Sequence, residues 1–443
     1  MKSKIVSNIV SALLERGVFV FGQFIVSFMM IKALDIRDYG TLGLIAGYYV
    51  FLNFFNVAVE TILLRDHLML KGKIEQTLYS LFIFNLFKAL VLLILFLMFI
   101  PVLEVKATAN GLIWGVLAFY FPVFADCLVS PFLIFATIQF KQKNVTYLST
   151  CRVLISIVLT SLLFLFPDLR YLAFKEFLVN LIYVFMFLMF IRNELDLSFT
   201  KKWQEFSVDW SYIKKSFITY ASWTHCVGVV TFFIYRSDTF FLSFFVNLES
   251  IGYYNIALSS ANIANVLPQL LAYQNNLVIS HMKDNYDSIR MTNIFLRVSF
   301  YLGCLTILAF LFLGKSYLHL LKGDDCPAET YFNMICIVSS LVIVKTIVSP
   351  FNSYISIKGS VRSMFWNVVL PTGIATSVLY LFSSWWAGTI GIAAANLFAA
   401  IIWLILQLRE MRRYQYHTDG LIDFKEDWLF LKSMFGKKEE QTV

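Results

Sequence analysis

The sequence has few charged residues and no recognisable catalytic motif. Asp, Glu, Lys and Arg make up 14% of its 443 residues, against about 25% in soluble proteins. It contains no nucleophile elbow, P-loop, HExxH motif or dinucleotide fingerprint. Its six cysteines include no CxxC pair, which argues against a metal site or a disulfide framework. These absences argue against a soluble protein and against an enzyme, and we expect no catalytic residues, cofactor or metal.

Apolar segments recur along nearly the whole chain. A helix that spans a bilayer needs about 20 mostly apolar residues, and twelve segments reach about this length. They are Asn8–Ala33, Thr41–Leu64, Tyr79–Val102, Leu112–Ile138, Tyr147–Phe166, Leu172–Ile191, Ser216–Tyr235, Gly252–Ile279, Ile294–Gly314, Tyr331–Ile357, Ser363–Ser383 and Gly388–Leu408. The sequence therefore predicts an all-α, polytopic membrane protein with about 12 transmembrane helices.

Lysine and arginine concentrate in every second loop between these segments. Lys2, Lys141 and the basic tail from Arg409 onward lie on one side of the predicted membrane. The positive-inside rule then places both termini in the cytoplasm, which requires an even number of spans. A net charge of +8 also raises nucleic acid as a partner. We reject that alternative because the charge is spread over one membrane face without an aromatic binding module.

The longest polar break, Asn193–Lys215, separates six predicted spans from six others. We expect an organisation in four parts. They are an N-terminal six-helix bundle over 1–192, a cytoplasmic linker over 193–215, a C-terminal six-helix bundle over 216–408 and a cytoplasmic tail over 409–443.

A repeated turn indicates that the two bundles arose by duplication. Leu34–Gly43 follows the first span and Asn247–Asn255 follows the seventh, and each combines acidic or polar residues with a glycine. The two glycines, Gly40 and Gly252, are 212 positions apart, and this offset aligns several later spans. Repeats of equal orientation are related by an axis along the membrane normal, and we expect the substrate path in a central cleft between them.

Polar residues form stripes on the first two spans of each half. Those on spans two and eight that we expect to contact substrate are Asn53, Asn56, Asn255, Asn262 and Gln269. The spacing of Asn53, Asn56 and Glu60 places all three on one face of a helix. The alternative to a wet cleft is a set of hydrogen bonds between helices.

Charged residues inside spans are costly, so they usually face a polar cavity or pair with each other. The deep bases are Arg16, Lys88 and Lys345, and the acids are Glu15, Glu60 and Asp126. We expect Lys88 and Lys345 to face a cavity or to pair with an acid such as Asp126. Arg152 lies nearer a predicted span end, where snorkelling to the interface explains it. Arg236 and Asp238 close span seven, where we expect a local ion pair.

The junction of spans seven and eight resembles that of a known transporter family. Tyr235–Phe245 contains Arg-Ser-Asp followed by apolar residues, and Glu249–Ala257 contains an acidic turn and Gly-Tyr-Tyr. This pattern, with the similar Asp38-Tyr39-Gly40 turn, resembles Wzx-like flippases. These export O-antigen and capsule precursors and belong to the multidrug/oligosaccharidyl-lipid/polysaccharide (MOP) superfamily.

The resemblance implies a MATE-like fold and translocation of an undecaprenyl-pyrophosphate-linked oligosaccharide across the bacterial inner membrane by alternating access. It also implies membrane lipids and the polymerase and chain-length machinery as partners. Arg16, Lys88 and Lys345 would then offset the pyrophosphate charge, and Glu15, Glu60 or Asp126 would couple an ion. The alternatives are a drug or small-cation antiporter of the same superfamily, an O-antigen polymerase or ligase, and a channel.

Overall fold

The computed structural model describes residues 2–56, 59, 74–104, 109–139, 141–194, 209–216, 222–263, 275, 279, 284–323 and 326–414. Within these ranges all regular structure is helical, which confirms the predicted fold class. Two predicted site residues, Glu60 and Gln269, lie outside the described residues, as do most of the predicted linker and the tail beyond 414.

The described helices follow the apolar segments of the sequence. They are α1 Lys2–Ala33, α2 Ile36–Leu52, α3 Ile74–Glu104, α4 Ala109–Ile138, α5 Gln142–Ser161, α6 Leu169–Glu194, α7 Trp210–Ser216, α8 Ser222–Leu242, α9 Leu248–Ile263, α10 Asn285–Lys322, α11 Ala328–Ile343, α12 Ser349–Lys358, α13 Val361–Met364 and α14 Leu370–Arg412. Seven helices in the described ranges are long and apolar enough to cross a membrane.

Proline and glycine interrupt the helices of the C-terminal half. Val344–Val348 and Phe365–Val369 are π-helical, and Pro350 and Pro371 follow closely after them. Proline cannot donate the next backbone hydrogen bond, so a local change of helix type relieves the mismatch. Within α14, Gly388 has a φ of 56° and separates two helical stretches. This break falls where the sequence predicts the boundary between the last two spans.

The chain divides into two compact units. The first unit comprises Met1–Ile256 and Leu321–Asp325, and the second comprises Ala257–Leu320 and Cys326–Val443. In the first unit α4 packs against α6 and α3, α1 packs against α5, and α8 packs against α2. In the second unit α11 packs against α14. The contacts thus place α8 with the first unit, and the six-plus-six division of the sequence stays a prediction.

The two repeated turns pack against each other within the first unit. A Cβ atom added at Gly40 would collide with the carbonyl oxygen of Leu248, and one added at Gly252 would collide with that of Ile36. Leu248 lies four residues before Gly252, and Ile36 lies four residues before Gly40, so each glycine meets the equivalent carbonyl of the other turn. Gly43 packs in the same way against Asn255, which is also 212 positions away. This near-twofold contact, the glycine seam, supports the predicted duplication.

Candidate functional site

Lys88 is a lysine buried in the middle of a membrane-spanning helix. Its side chain on α3 is 7% exposed. One turn before Lys88, the Asn85 side-chain amide donates to the Ser130 hydroxyl of α4 at 3.3 Å. Directly after Lys88, the Ala89 carbonyl accepts a hydrogen bond from the Tyr120 hydroxyl of α4 at 3.0 Å. Lys88 therefore lies at the polar part of the contact between α3 and α4, at the depth that the sequence predicts.

The described ion pair of Asp126 is with Arg152, on α5. Its guanidinium donates to the Asp126 carboxylate at 2.9 Å and to the Asn180 side-chain oxygen at 2.6 Å. The guanidinium also lies 4.4 Å from the centre of the Tyr183 ring. With a side chain 19% exposed, Arg152 points into the helix contacts. Arg152 therefore lies among the helices instead of snorkelling to the interface, and its partners are Asn180, the Tyr183 ring and Asp126, whose own side chain is 63% exposed.

A continuous chain of polar side chains extends from Arg152 along α6. Asn180 donates to the Glu176 carboxylate at 3.3 Å, and Glu176 pairs with Lys175, whose side chain is fully buried. We call these residues, with Asp126 and Arg152, the Arg152 network. Asn180 lies eleven residues into α6, or about 16 Å from its start. The network therefore reaches well into the membrane-spanning part of the first unit.

Sequence reasoning missed Lys175, Glu176 and Asn180, which all lie inside the predicted span Leu172–Ile191. The detectable signal was their spacing, because Glu176 and Asn180 are four residues apart and share a helix face. Glu15, a predicted ion-coupling residue, accepts a hydrogen bond from Ser149 of α5 at 2.9 Å. The side chain of neighbouring Arg16 is outside the described part of the structure.

The predicted polar face of span two does not form as one helix. α2 ends at Leu52, and Asn53 to Asn56 form a turn, with Asn56 N–H donating to the Asn53 carbonyl. Asparagine favours helix ends because its side chain competes for backbone hydrogen bonds. The His225 ring is 2.9 Å from the Phe54 carbonyl, and Asn56 donates to the Tyr49 hydroxyl at 3.3 Å. The common helix face predicted for Asn53 and Asn56 is therefore wrong, although both lie in a polar turn.

Asp238 is held by hydrogen bonds that the sequence did not predict. Its fully buried carboxylate accepts from the Tyr254 hydroxyl at 2.7 Å and from the Thr239 N–H at 2.8 Å. Residues two apart point to nearly opposite sides of a helix, so these bonds satisfy the carboxylate oxygens, and Arg236 acts on Asp238 only through its nearby charge. The described ion pairs contain none between the two residues.

Asn255 lies in a helix contact. Its side chain is 7% exposed and covers Gly43 in the glycine seam. The sequence predicted that it lines a cleft. The position of Asn255 shows instead that part of the polar stripe on α9 packs against α2.

In the second unit, the π-helical segment Val344–Val348 contains Lys345, which is half-buried, as is Asn262 on α9. Sequence reasoning missed two buried charges of this unit. Arg297 on α10 is 3% exposed, and Glu410 on α14 is 1% exposed. The Glu410 carboxylate accepts hydrogen bonds from Ser363 and Asn367 at 2.5 and 3.1 Å.

Comparison with solved structures identifies the architecture. The chain superimposes on the lipid II flippase MurJ with a TM-score of 0.66 and 15% identity, covering 98% of this chain and 94% of MurJ. It superimposes on the Vibrio cholerae MATE transporter VcmN with a TM-score of 0.63 and 11% identity, covering 95% and 98%. The protein has the MATE-like fold. A eukaryotic MATE transporter, AtDTX14, matches with a TM-score of 0.56 and 12% identity over 98% of each chain.

No family model matches the sequence. No curated protein matches it either. The likeness to MATE transporters and MurJ therefore concerns the fold, in which the chain aligns with these transporters over nearly its whole length.

Proposed function

We propose that the protein is a flippase. It carries an undecaprenyl-pyrophosphate-linked oligosaccharide, an O-antigen or capsule repeat unit, from the cytoplasmic to the periplasmic leaflet of the inner membrane by alternating access. The MATE-like fold, shared with a lipid II flippase, and the resemblance of the span seven–eight junction to Wzx-like flippases support this proposal.

The observation that carries the proposal is an excess of positive charge inside the spans. Five acids at the sites described above accept hydrogen bonds or pair with a base, namely Glu15, Asp126, Glu176, Asp238 and Glu410. Two bases, Arg152 and Lys175, pair with acids of the network. Four further basic side chains are buried or half-buried within helices, so the described sites hold six bases and five acids; these four are Lys88, Arg236, Arg297 and Lys345. Such an excess favours an anionic ligand such as a pyrophosphate over a cation.

We assign ion coupling to the first unit, at Glu15 and Asp126. Both carboxylates accept hydrogen bonds from α5, one from Ser149 and the other from Arg152. A coupling ion that binds either carboxylate competes with these donors and changes the contact of α5 with α1 or α4. Replacement of Asp126 by Asn should therefore lower transport that is driven by an ion gradient more than it lowers the amount of folded transporter.

The test of the proposed function uses Lys88. The Lys88→Met variant keeps most of the side-chain volume and removes the charge, and Lys88→Arg keeps the charge. In a host that depends on this gene for surface polysaccharide, we expect Lys88→Met to lower the polysaccharide per folded transporter by about tenfold, the loss of one charge-assisted contact. Lipid-linked repeat units should accumulate on the inner leaflet, and Lys88→Arg should retain part of the activity.

The matched control is Lys315→Gln, because Lys315 is exposed and its ammonium lies 5.3 Å from the Tyr331 ring. This control should transport normally. Wild-type export by folded Lys88→Met would remove Lys88 from the mechanism, and a gene deletion that leaves surface polysaccharide unchanged would refute the flippase.

The second candidate function is a drug or small-cation antiporter. The observation that favours it is the structural likeness to multidrug resistance MATE transporters. An antiporter of this kind would make a host more resistant to cationic drugs when it is overexpressed. We expect no change in drug susceptibility, and a reproducible rise in resistance that requires Glu15 or Asp126 would favour the antiporter.

A further inference from the structure

An apolar groove with a single lysine at one end lies along α1. Phe24, Ile25, Phe28, Met29 and Phe164 line it together with Lys32, and its volume is about 450 Å³. We call it the Lys32 groove. Except for the Lys32 ammonium, its walls are hydrocarbon and aromatic rings, so its chemistry is that of a lipid chain below a charged headgroup.

The rings along the groove form a ladder that leads to Lys32. The centres of the Phe21 and Phe24 rings are 6.5 Å apart, and those of Phe24 and Phe28 are 6.4 Å apart. Phe21 is 66% exposed, so the ladder continues onto the surface of the unit. From Phe21 to Lys32 the helix rises about 16 Å, close to the thickness of one leaflet of a hydrocarbon core of about 30 Å.

The charge at the end of the ladder is available to a ligand. Lys32 lies in the last turn of α1 and is exposed. Among the residues that the structure describes, no carboxylate pairs with it, whereas Lys322 donates to the Leu34 carbonyl at 2.9 Å nearby. A cation at the end of a membrane helix attracts a lipid phosphate. An acyl chain that fills the groove gains dispersion contacts with its walls, and an empty groove lacks them.

We propose that the Lys32 groove binds one anionic phospholipid, with the phosphate at the Lys32 ammonium and an acyl chain along Phe28, Phe24 and Phe21. The one-leaflet length of the ladder favours an ordinary phospholipid over a much longer polyprenyl chain. With the N-terminus in the cytoplasm, this lipid belongs to the outer leaflet. The site requires the membrane-spanning fold and is independent of the substrate that is transported.

The test is native mass spectrometry of the purified full-length protein with phosphatidylglycerol, phosphatidylcholine or undecaprenyl phosphate as the probe. We expect Lys32→Gln to lower retention of phosphatidylglycerol by about fivefold, the effect of one basic residue near an anionic lipid. Retention of phosphatidylcholine should not change. Lys32→Arg should retain phosphatidylglycerol, and Phe28→Ala should weaken both phospholipids.

Lys315→Gln, at an exposed lysine remote in sequence from the groove, serves as the control and should behave as wild type. Three outcomes overturn the proposal. The first is that Lys32→Gln retains as much phosphatidylglycerol as wild type. The second is that Lys315→Gln loses as much phosphatidylglycerol as Lys32→Gln does. The third is that undecaprenyl phosphate displaces phosphatidylglycerol from wild type but not from Lys32→Gln. The last outcome would assign the groove to the substrate's tail. None of these measurements depends on transport, so they leave the proposed function to its own test.

Discussion

Arg152 joins three helices of the first unit through one side chain. It donates from α5 to Asp126 on α4 and to Asn180 on α6, and its guanidinium covers the Tyr183 ring. Hydrogen bonds to charged groups contribute about 1.5–3 kcal/mol each when their removal leaves a buried partner. The side chain is therefore a structural centre of the unit, in addition to any part in coupling.

We expect Arg152→Ala to destabilise the protein by about 1.5–3 kcal/mol, because it leaves the buried Asn180 with fewer partners, whereas the bond to Asp126, whose side chain is 63% exposed, should add little. Thermal unfolding in detergent measures the change. The control is Arg170→Ala, because Arg170 lies 3.8 Å from Asp168 and both side chains are more than half exposed. An exposed pair contributes little, so the control should unfold at the wild-type temperature. Equal shifts for both variants would contradict the role of Arg152.

The first turn of α2 contains a carboxylate with an altered pKa, that of Asp38. Burial raises the pKa of Asp38, and repulsion from Asp35 and Asp168 raises it further. The folded state therefore binds this proton more tightly than the unfolded state, so stability falls as the pH rises from the ordinary carboxyl range through the raised pKa.

We expect Asp38→Asn to stabilise the protein at neutral pH, because it removes the desolvated and repelled charge. The gain should shrink as the pH falls and should vanish below the ordinary carboxyl pKa of 3.8, where wild-type Asp38 is protonated in both states. Unfolding temperatures of the two proteins across this range provide the measurement. A gain that is the same at every pH would show that the charge of Asp38 is not its cause.

The residue scale also shows where sequence reasoning succeeds and fails. The depth of Lys88 follows from its position within a span, and the structure places it in a buried helix contact. The partner of Asp126 could not be found in this way, because Arg152 is 26 positions away and no local spacing connects the two. Depth is a property of one segment, whereas a pair between helices depends on how the helices pack.

At the scale of helices, the glycine seam explains why the repeated turns contain glycine. Gly40, Gly43 and Gly47 lie on one face of α2, at the i, i+3 and i+7 positions that meet a neighbouring helix. Small residues let two membrane helices approach closely, and van der Waals packing then holds them together. The repeated turns were visible in the sequence, but their direct contact with each other was not.

We expect Gly40→Ala and Gly43→Ala to destabilise the first unit for different reasons. The methyl of Gly40→Ala meets the Leu248 carbonyl, which is backbone and cannot be removed, whereas that of Gly43→Ala meets the Asn255 side chain. The double variant Gly43→Ala/Asn255→Ala should therefore recover stability, while Asn255→Ala should not rescue Gly40→Ala. Thermal unfolding of the single and double variants measures this difference.

The control for the seam is Gly228→Ala on α8, where an added Cβ meets no atom within 4 Å. Alanine should stabilise that helix by about 0.5–1 kcal/mol, because glycine loses more conformational entropy on folding. If Gly228→Ala destabilised the protein as much as Gly40→Ala, the close helix contact at the glycine seam would not be the cause of the effect.

The early end of α2 was not predictable from hydrophobic periodicity. The apolar pattern continues to Leu64 and predicts a span of that length, but the Asn53 to Asn56 turn ends the helix. Backbone that leaves a helix at membrane depth needs other partners, and His225 supplies one for Phe54. By contrast, the helix break at Gly388 falls at a predicted span boundary, and Pro350 and Pro371 directly follow π-helical segments, because the backbone effects of glycine and proline are local.

At the scale of the whole molecule, the fold class followed from properties that survive sequence divergence. Identity to MurJ is 15% and to VcmN 11%, yet spans of about 20 apolar residues were sufficient to predict an all-α membrane protein. The MATE-like arrangement was implied by the resemblance of the span seven–eight junction to Wzx-like flippases. The substrate did not follow in the same way, because it depends on a few side chains whose positions vary between members of one fold.

The orientation of the chain in the membrane gives a prediction that concerns the entire molecule. α5 contains 20 residues, which rise about 30 Å and match the hydrocarbon core, so its two flanking turns must lie on opposite sides. Lys141 precedes α5 and Lys143 lies in its first turn, a few residues after α4 ends at Ile138. The positive-inside rule places both lysines in the cytoplasm. Phe166 and Asp168, after α5, should then face the periplasm.

Sandwich fusions that keep the rest of the chain in place test this orientation. We expect green fluorescent protein inserted after Lys141 to fluoresce and alkaline phosphatase there to be inactive, because folding of the phosphatase needs the oxidising periplasm. Phosphatase inserted after Pro167 should be active. Reversed activities would place both termini outside and would also move the Lys32 groove to the inner leaflet. Activity of one reporter at both positions would show that α5 does not cross the membrane, and the even number of spans on which the cytoplasmic termini depend would be lost.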